Sequence, residues 1–364
     1  MARIQTKSAV EKIVSYPLGS SPEEIKEKYN LMAVRKMSDN ENVYGCSPEV
    51  RNSISKAMNS LYFYPDGTVS LLKRKLAGFY NISEDNFLVS NGSEEIIRLL
   101  TRAYISAGDE AVMAQNTFPR YETNVLIEGG SAITVSLENG THNLRAMYEK
   151  MNEKTKMVFI CNPNNPTGTI VGKSELLQFI DKVPSNILII LDEAYYEYVN
   201  SEDYPDSILL LAQRPNLIIL RTFSKIYGLA GLRVGYGIMH PEIVNDLHKV
   251  KDVFNVNHLA QAAASAALND QDFIKDCAQK NAEEMKFVCQ KLTELHVGYF
   301  PSQTNFIYIF SQLPIADNLI ANGLVVRKME LDGYLDAFRM TLGTREDNEA
   351  ALAVINKLLN EKAV

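Results

Sequence analysis

Met157-Val158-Phe159-Ile160-Cys161 runs straight into Asn162-Pro163-Asn164-Asn165-Pro166-Thr167-Gly168, and Ile187-Leu188-Ile189-Ile190-Leu191 into Asp192-Glu193-Ala194-Tyr195. These two stretches decide the fold. Each opens with an unbroken apolar run and ends on polar, turn-forming residues, the pattern of a strand covered on both faces. Residues 175–183 between them read as a helix. Strands of this kind joined through a helix build an α/β domain with a mostly parallel sheet.

Working outward, strands are expected at 87–90, 111–114, 132–135 and 217–220, the last closing the series, with helices at 93–104 and 144–151. Upstream, Ser47-Pro48 opens a helix in which Val50, Ile54, Met58 and Leu61 recur at helical spacing. Tyr64-Pro65-Asp66-Gly67 is a turn, and Leu72, Leu76 and Phe79 mark a second helix. After residue 240 helices dominate, at 241–250, 259–268 and 273–295. A strand at 306–310, a short helix, Gly323, strands at 324–327 and 337–342, and a final helix striped by Ala351, Val354, Ile355 and Leu358 follow. The expected organisation is an N-terminal arm (1–40), a large domain (41–245) and a smaller C-terminal α+β domain (246–364) that the arm completes.

Composition narrows the partners. Across 364 residues, 37 Lys and Arg face 44 Asp and Glu, a formal charge of -7, which gives no general pull toward nucleic acid or an anionic membrane. Apolar residues at 46% and charged residues at 22% are globular values, far from the disordered class. The N-terminus lacks the apolar core of a signal peptide, and no apolar run approaches the roughly 20 residues that span a bilayer. Cys46, Cys161, Cys277 and Cys289 form no C-x-x-C pair, and the five histidines lack zinc-site spacing. A soluble cytoplasmic protein without a structural metal is expected.

Ligands of parallel α/β sheets sit beyond the carboxyl ends of the strands, and four segments fall there. Asn91-Gly92-Ser93-Glu94-Glu95 joins strand to helix, where free N–H groups favour an anion, although the same residues suit an ordinary capped helix start. Asn162 to Gly168 holds two prolines and a glycine, a rigid loop able to fix an asparagine amide. Asp192 follows an apolar run and is desolvated unless it meets a cation; the plain alternative is a solvated acid at the sheet rim. Thr222-Phe223-Ser224-Lys225 precedes the glycine-rich Gly228 to Tyr236 with its Arg233. A lysine after a strand is commonly a solubiliser, but near a cavity burial lowers its pKa and frees an amine for a Schiff base. Together the four describe a pyridoxal phosphate site: Lys225 for the aldehyde, Asp192 for the pyridinium nitrogen, and a cup of Ser224, Arg233 and the Ser93 helix start for the phosphate.

Asn162-Pro163-Asn164-Asn165-Pro166-Thr167-Gly168, Asp192-Glu193-Ala194-Tyr195, and Ser224-Lys225 followed by Gly231-Leu232-Arg233-Val234-Gly235 resemble the fold-type I aminotransferases of the class I/II group over nearly the whole chain. Within that group the resemblance is to the histidinol-phosphate aminotransferases. It is carried by Asp39-Asn40-Glu41-Asn42 before Tyr44-Gly45, by Tyr64-Pro65-Asp66-Gly67, Thr117-Phe118 and Val326-Arg327, and by Phe338-Arg339-Met340-Thr341-Leu342-Gly343-Thr344. Val43 stands where the family usually carries proline, and the arm around Tyr16-Pro17 matches loosely.

The resemblance implies the remaining roles. Lys225, Asp192 and Tyr195 are catalytic, with Lys225 moving the proton between substrate Cα and cofactor C4′. Asn165 and Tyr195 bond the ring oxygen, and Phe118 stacks on the ring. Backbone at Ser93 and Glu94, with Ser224 and Arg233, grips the phosphate. Tyr64 reaches the cofactor of a second copy, which makes a homodimer part of the site. Arg339 clamps the glutamate carboxylate, and Arg327, Arg339, Asn165 and Tyr16 receive the donor and its phosphate; a surface ion pair is the plain alternative for Arg327. The implied reaction converts L-histidinol phosphate and 2-oxoglutarate to imidazole-acetol phosphate and L-glutamate, in histidine biosynthesis. Three rivals stay open: an aromatic amino acid aminotransferase, a decarboxylase of a phosphorylated amino acid, and an effector-sensing regulator, for which residues 1–40 leave no room for a DNA-binding module.

Overall fold

The computed structural model describes residues 4–11, 13–15, 19 and 21–362. Helix Pro22–Tyr29, opened by a reciprocal Ser21–Glu24 capping box, leads to a two-residue strand, β1 (Arg35–Lys36). Seven strands then build the central sheet: β2 (Phe87–Ser90), β3 (Glu110–Ala114), β4 (Ser131–Val135), β5 (Thr155–Cys161), β6 (Leu188–Asp192), β7 (Leu217–Thr222) and β8 (Gly235–Ile238). Their order is β2-β8-β7-β6-β5-β3-β4. Strands β4, β3, β5, β6 and β7 run parallel, and β8 runs against both β7 and β2. This is the mostly parallel α/β sheet expected from the apolar runs.

The runs are unbroken because both faces of the sheet are covered. Along β7, Leu217 and Ile219 enter one core while Ile218 and Leu220 enter the other. The second core is completed by Ile96, Ile97 and Leu100 of helix Ser93–Tyr104.

Around the central sheet two elements depart from expectation. The strand series does not close at 217–220, because β8 follows and inserts between β7 and β2. Its sequence hides it: two of its four residues are glycines, which weaken strand propensity. Gly235 is there for close approach to backbone, while the side-chain ends of Met239 and Ile96 crowd Gly237. A Cβ at Gly235 would lie 2.5 Å from Ser93 N, and one at Gly237 would lie 3.0 Å from Ile96 Cδ1. The other element is helix Arg120–Ile127, which carries no clear apolar stripe yet supplies the crossover that parallel β3 and β4 require.

A second sheet follows, of β9 (Gly298–Tyr299), β10 (Phe306–Ser311), β12 (Arg327–Met329) and β13 (Asp336–Thr341), antiparallel in the order β12-β13-β10-β9. The strand expected at 324–327 is divided: β11 (Leu324–Val325) pairs in parallel with β1, and beyond Val326 the chain changes partner to β13. The arm therefore ties directly into this region. Its core joins Met37 to Ile307, Ile309, Phe338 and Met340, and to Ala351, Ile355 and Leu358 of helix Arg345–Lys362. Helix Gln271–Glu294 bridges the cores, with Ile274 and Cys277 in the large one and Met285, Val288 and Leu292 in the C-terminal one. Residue 245 lies within helix Pro241–Val250, whose Ile243, Val244 and Leu247 pack beneath the central sheet. No helix among the described residues is long and apolar enough to cross a membrane.

Candidate active site

Adjacent strands β5, β6 and β7 end side by side, with Cys161 opposite Asp192 and Asp192 opposite Leu220. The segments that follow them, 162–168, 193–195 and 223–225, are thereby gathered at one edge. Asp192 is only 4% exposed. Tyr121 Oη donates to its Oδ2 at 2.7 Å and Ala194 N to its Oδ1 at 3.2 Å. Burial pushes the carboxyl up to about 6, while the Tyr121 and Ala194 bonds pull against that rise. Behind it, Glu193 pairs with Arg221 at 2.8 Å in a buried ion pair that links the ends of β6 and β7.

Lys225 Nζ donates to Asp39 O at 3.1 Å and lies 5.5 Å from the centre of the Tyr195 ring. Burial brings its ammonium down to about 7, with the Arg339 and Arg233 charges acting the same way and Asp39 and Glu41 opposing. A lysine so tuned presents a substantial fraction of free amine at neutral pH, the form that attacks a carbonyl. Tyr195 stands edge-on to Phe306 and is buried. Its Oη accepts from Asn40 Nδ2 at 2.8 Å, which leaves its own O–H to donate to a ligand.

The anion cup is built on backbone. Gly92 is the N-cap of helix Ser93–Tyr104, with φ at 76° and no side chain capping the turn. The first N–H groups, at Ser93 and Glu94, are thus presented at a helix start with the favourable end of its dipole. A Cβ on Gly92 would lie 2.7 Å from Arg233 Nη2, so glycine is what allows the guanidinium to close over this turn. Arg233 Nη1 also donates to Ser224 Oγ at 3.2 Å. The neighbouring glutamates serve structure: Glu94 pairs with Arg120 at 2.6 Å, and Glu95 accepts from Asn91 N at 2.6 Å and Asn255 Nδ2 at 2.8 Å.

Beyond this edge opens a cleft of about 1320 Å³ whose lining includes Phe118, Asn165, Asp39, Tyr308, Arg327 and Arg339. Arg327 on β12 and Arg339 on β13 are directly opposed in the ladder. Arg339 Nη1 donates to Asn165 Oδ1 at 2.5 Å and Nη2 to Ser38 O at 2.5 Å. That bond occupies the oxygen of Asn165, so its amide nitrogen is the end that can donate to a ligand. Like charges opposed across a ladder are costly, and Asp39 moderates the cost. Burial acts to raise its carboxyl, but Lys36, 2.8 Å away, and the Arg339 and Arg327 charges hold it below the usual range.

Lys225, Asp192, Tyr195, Ser93, Glu94, Ser224 and Arg233 therefore lie at one edge of the sheet, and Phe118, Asn165, Arg327 and Arg339 line the cleft beyond it. Tyr64 does not join them within this chain. It is 81% exposed and stacks on Phe254 with ring centres 4.6 Å apart. Tyr16 lies outside the described residues. Two contributors were missed from sequence: Tyr121, whose signal is its spacing of three from Phe118 at a helix start, and Asn40, which sits in a segment noted for resemblance but given no role. The donor set matches pyridoxal phosphate group by group: an amine for the aldehyde, a carboxylate for the ring nitrogen, donors for the ring oxygen, and a glycine-lined cup for a phosphate.

The sequence profile of the aminotransferase class I and II family matches residues 33–355. The chain is 43% identical over 359 residues to the histidinol-phosphate aminotransferase of Brevibacillus brevis, covering 98% of this chain and 99% of the relative. It is 40% identical over 360 residues to that of Bacillus subtilis, covering 98% and 100%. Among solved structures, the histidinol-phosphate aminotransferase of Sinorhizobium meliloti, in complex with pyridoxal-5'-phosphate, superposes with a TM-score of 0.91 at 25% identity, covering 99% of each chain. A Thermus thermophilus aspartate aminotransferase shares the fold at a TM-score of 0.82 and 17% identity, covering 98% of this chain and 100% of that one. By profile, by full-length identity and by fold, the chain belongs to the class I and II aminotransferase family.

Proposed function

We propose that this protein transfers the amino group of L-histidinol phosphate to 2-oxoglutarate, giving imidazole-acetol phosphate and L-glutamate, with pyridoxal phosphate as cofactor. The observation that carries the reading is the opposed pair Arg327 and Arg339 beside Asn165. Two guanidiniums suit a phosphate dianion, and Arg339 alone suits the carboxylate of glutamate in the other half-reaction. Relatives of this name along the full length of the chain support the same choice.

When bound, pyridoxal phosphate supplies the aldehyde that takes up the amino group and the ring that absorbs the electron pair of the broken Cα–H bond. The chain supplies the rest. Lys225 removes the proton from substrate Cα and returns it at the cofactor's C4′, a task suited to an amine whose pKa burial brings near neutrality. Asp192 pairs with the ring nitrogen and keeps it protonated. Asn165 and Tyr195 donate to the ring oxygen, Phe118 covers the ring face, and Ser93 N, Glu94 N, Ser224 and Arg233 hold the phosphate. In this reading residues 41–245 carry the cofactor, and the arm (1–40) joins the C-terminal unit (246–364) to form the substrate side.

The site is completed in a homodimer of a cytoplasmic enzyme. Tyr62, Phe63, Tyr64 and Phe254 form an exposed aromatic surface, and Tyr64 from each copy reaches the cofactor phosphate of the other. Purified protein should be yellow, bleach on borohydride with the cofactor trapped on Lys225, and form glutamate from histidinol phosphate only when 2-oxoglutarate is present. Carbon dioxide release without an oxo-acid would point instead to a decarboxylase. Sedimentation should give a dimer, and a monomer of full activity would remove Tyr64 from the site.

A further inference from the structure

We propose that Tyr121 is a positioning residue for Asp192, its hydroxyl holding that carboxylate ionised and aimed at the ring nitrogen of the cofactor. The inference rests on the function proposed above. Asp192 ends β6, and two side-chain torsions separate its carboxylate from the sheet backbone. Its oxygens are fixed by two donors, Tyr121 Oη on Oδ2 at 2.7 Å and Ala194 N on Oδ1 at 3.2 Å. An ionised carboxylate offers about four acceptor sites, so capacity for the ring N–H remains.

Tyr121 is itself held from both sides. It is 0% exposed, stacked on Phe159 with centres 4.7 Å and planes 13° apart, and met edge-on by Phe118 at 5.5 Å. Burial keeps its phenol well above the ordinary value, so it stays protonated and donates throughout the working range. The titratable groups facing the pair are Cys161 on β5, whose thiol burial pushes up to about 12, Tyr195, whose phenol burial keeps above the ordinary value, Lys225 beyond β7, and Glu193, which is turned away to Arg221. A hydroxyl bonded to a buried carboxylate stabilises its charged form. Without it, Asp192 would become more basic and draw the ring proton to itself, weakening the ring as an electron sink. The start of helix Arg120–Ile127 would then serve the cofactor twice, with Phe118 on the ring face and Tyr121 behind the ring's counter-ion.

Tyr121→Phe keeps both ring contacts and removes only the hydroxyl. Two readouts test it: the pH midpoint of the bound cofactor's visible absorption, and the Kd of pyridoxal phosphate for the apoprotein by equilibrium dialysis. The midpoint should rise by about one unit and the Kd by about tenfold, the scale of one hydrogen bond to a charged group. With a cofactor analogue carrying carbon in place of the ring nitrogen, the Kd change should vanish. Site-specific 3-fluorotyrosine at 121 strengthens the donor in the intact fold and should move the midpoint down. Wild-type values of midpoint and Kd in Tyr121→Phe, or an unmoved midpoint in the fluorinated protein, overturn the inference. A wild-type protein that binds no pyridoxal phosphate would instead sink the function on which it rests.

Discussion

Lys225, Asp192 and the Ser93 helix start hang on one buried, mostly parallel sheet, whereas Arg327 and Arg339 stand opposed on two strands of the smaller antiparallel sheet and line the cleft with Asp39 of the arm. In the first half burial does the tuning, moving Lys225 down to about 7 and Asp192 up to about 6. In the second half charge does it, with Asp39 held ionised among Lys36, Arg339 and Arg327. The lesson is a division of labour. In the proposed reaction the rigid, desolvated half would fix the chemistry, and the charge-compensated half would choose what enters. Substitutions in the first should act on kcat, and those in the second on KM and on the choice of substrate.

The largest effect should come from Lys225→Ala, which removes the proton carrier and should lower kcat by about 10³-fold or more in both half-reactions; stopped-flow absorbance with each substrate measures it. A loss confined to one half-reaction would break the comparison. Arg339→Lys keeps the charge but loses the planar fork, and should lower kcat/KM by about 10- to 100-fold for histidinol phosphate and glutamate alike. Arg327→Gln should cost about tenfold for histidinol phosphate and less than about twofold for glutamate, because only the phosphate needs the second guanidinium; equal losses for both would merge the two arginines into one function. The smallest effect is with pH. Raising pH through about 7 deprotonates Lys225, so cofactor attachment to the apoprotein should accelerate up to that pH and level off above it. Lowering pH through about 6 protonates Asp192 and should weaken cofactor affinity. A pH-independent attachment rate would contradict the burial of Lys225.

What was legible in the sequence follows the same line. Lys225, Asp192 and Asn165 could be placed because each lies a residue or a few past an apolar run, and the ends of parallel strands are where ligands bind. Strand β8 was not legible, because Gly235 serves close approach to backbone and Gly237 sits under crowding side chains, and neither adds strand propensity. Tyr121 and Asn40 were missed because their partners, Asp192 and Tyr195, are 71 and 155 residues away. The opposition of Arg327 and Arg339 depends on the register of β12 against β13, and that register follows from a change of strand partner at Val326 that no local pattern announces. Tyr64 stood out as part of a turn, and within the chain it stacks on Phe254, so its role at the site rests on the proposed dimer. Local motifs thus placed Lys225, Asp192 and Asn165, the family resemblance singled out Arg327 and Arg339, and only the tertiary pairing shows how those two arginines meet.

The most direct test of the account compares amino donors at fixed 2-oxoglutarate: kcat/KM for histidinol phosphate, for histidinol lacking the phosphate, and for phenylalanine. Loss of the phosphate contacts should cost histidinol about 100-fold or more, on the scale of two charge-assisted contacts, with phenylalanine below histidinol phosphate as well. A higher kcat/KM for phenylalanine, or no penalty for removing the phosphate, would contradict the assignment of Arg327 and Arg339 and with it the proposed reaction.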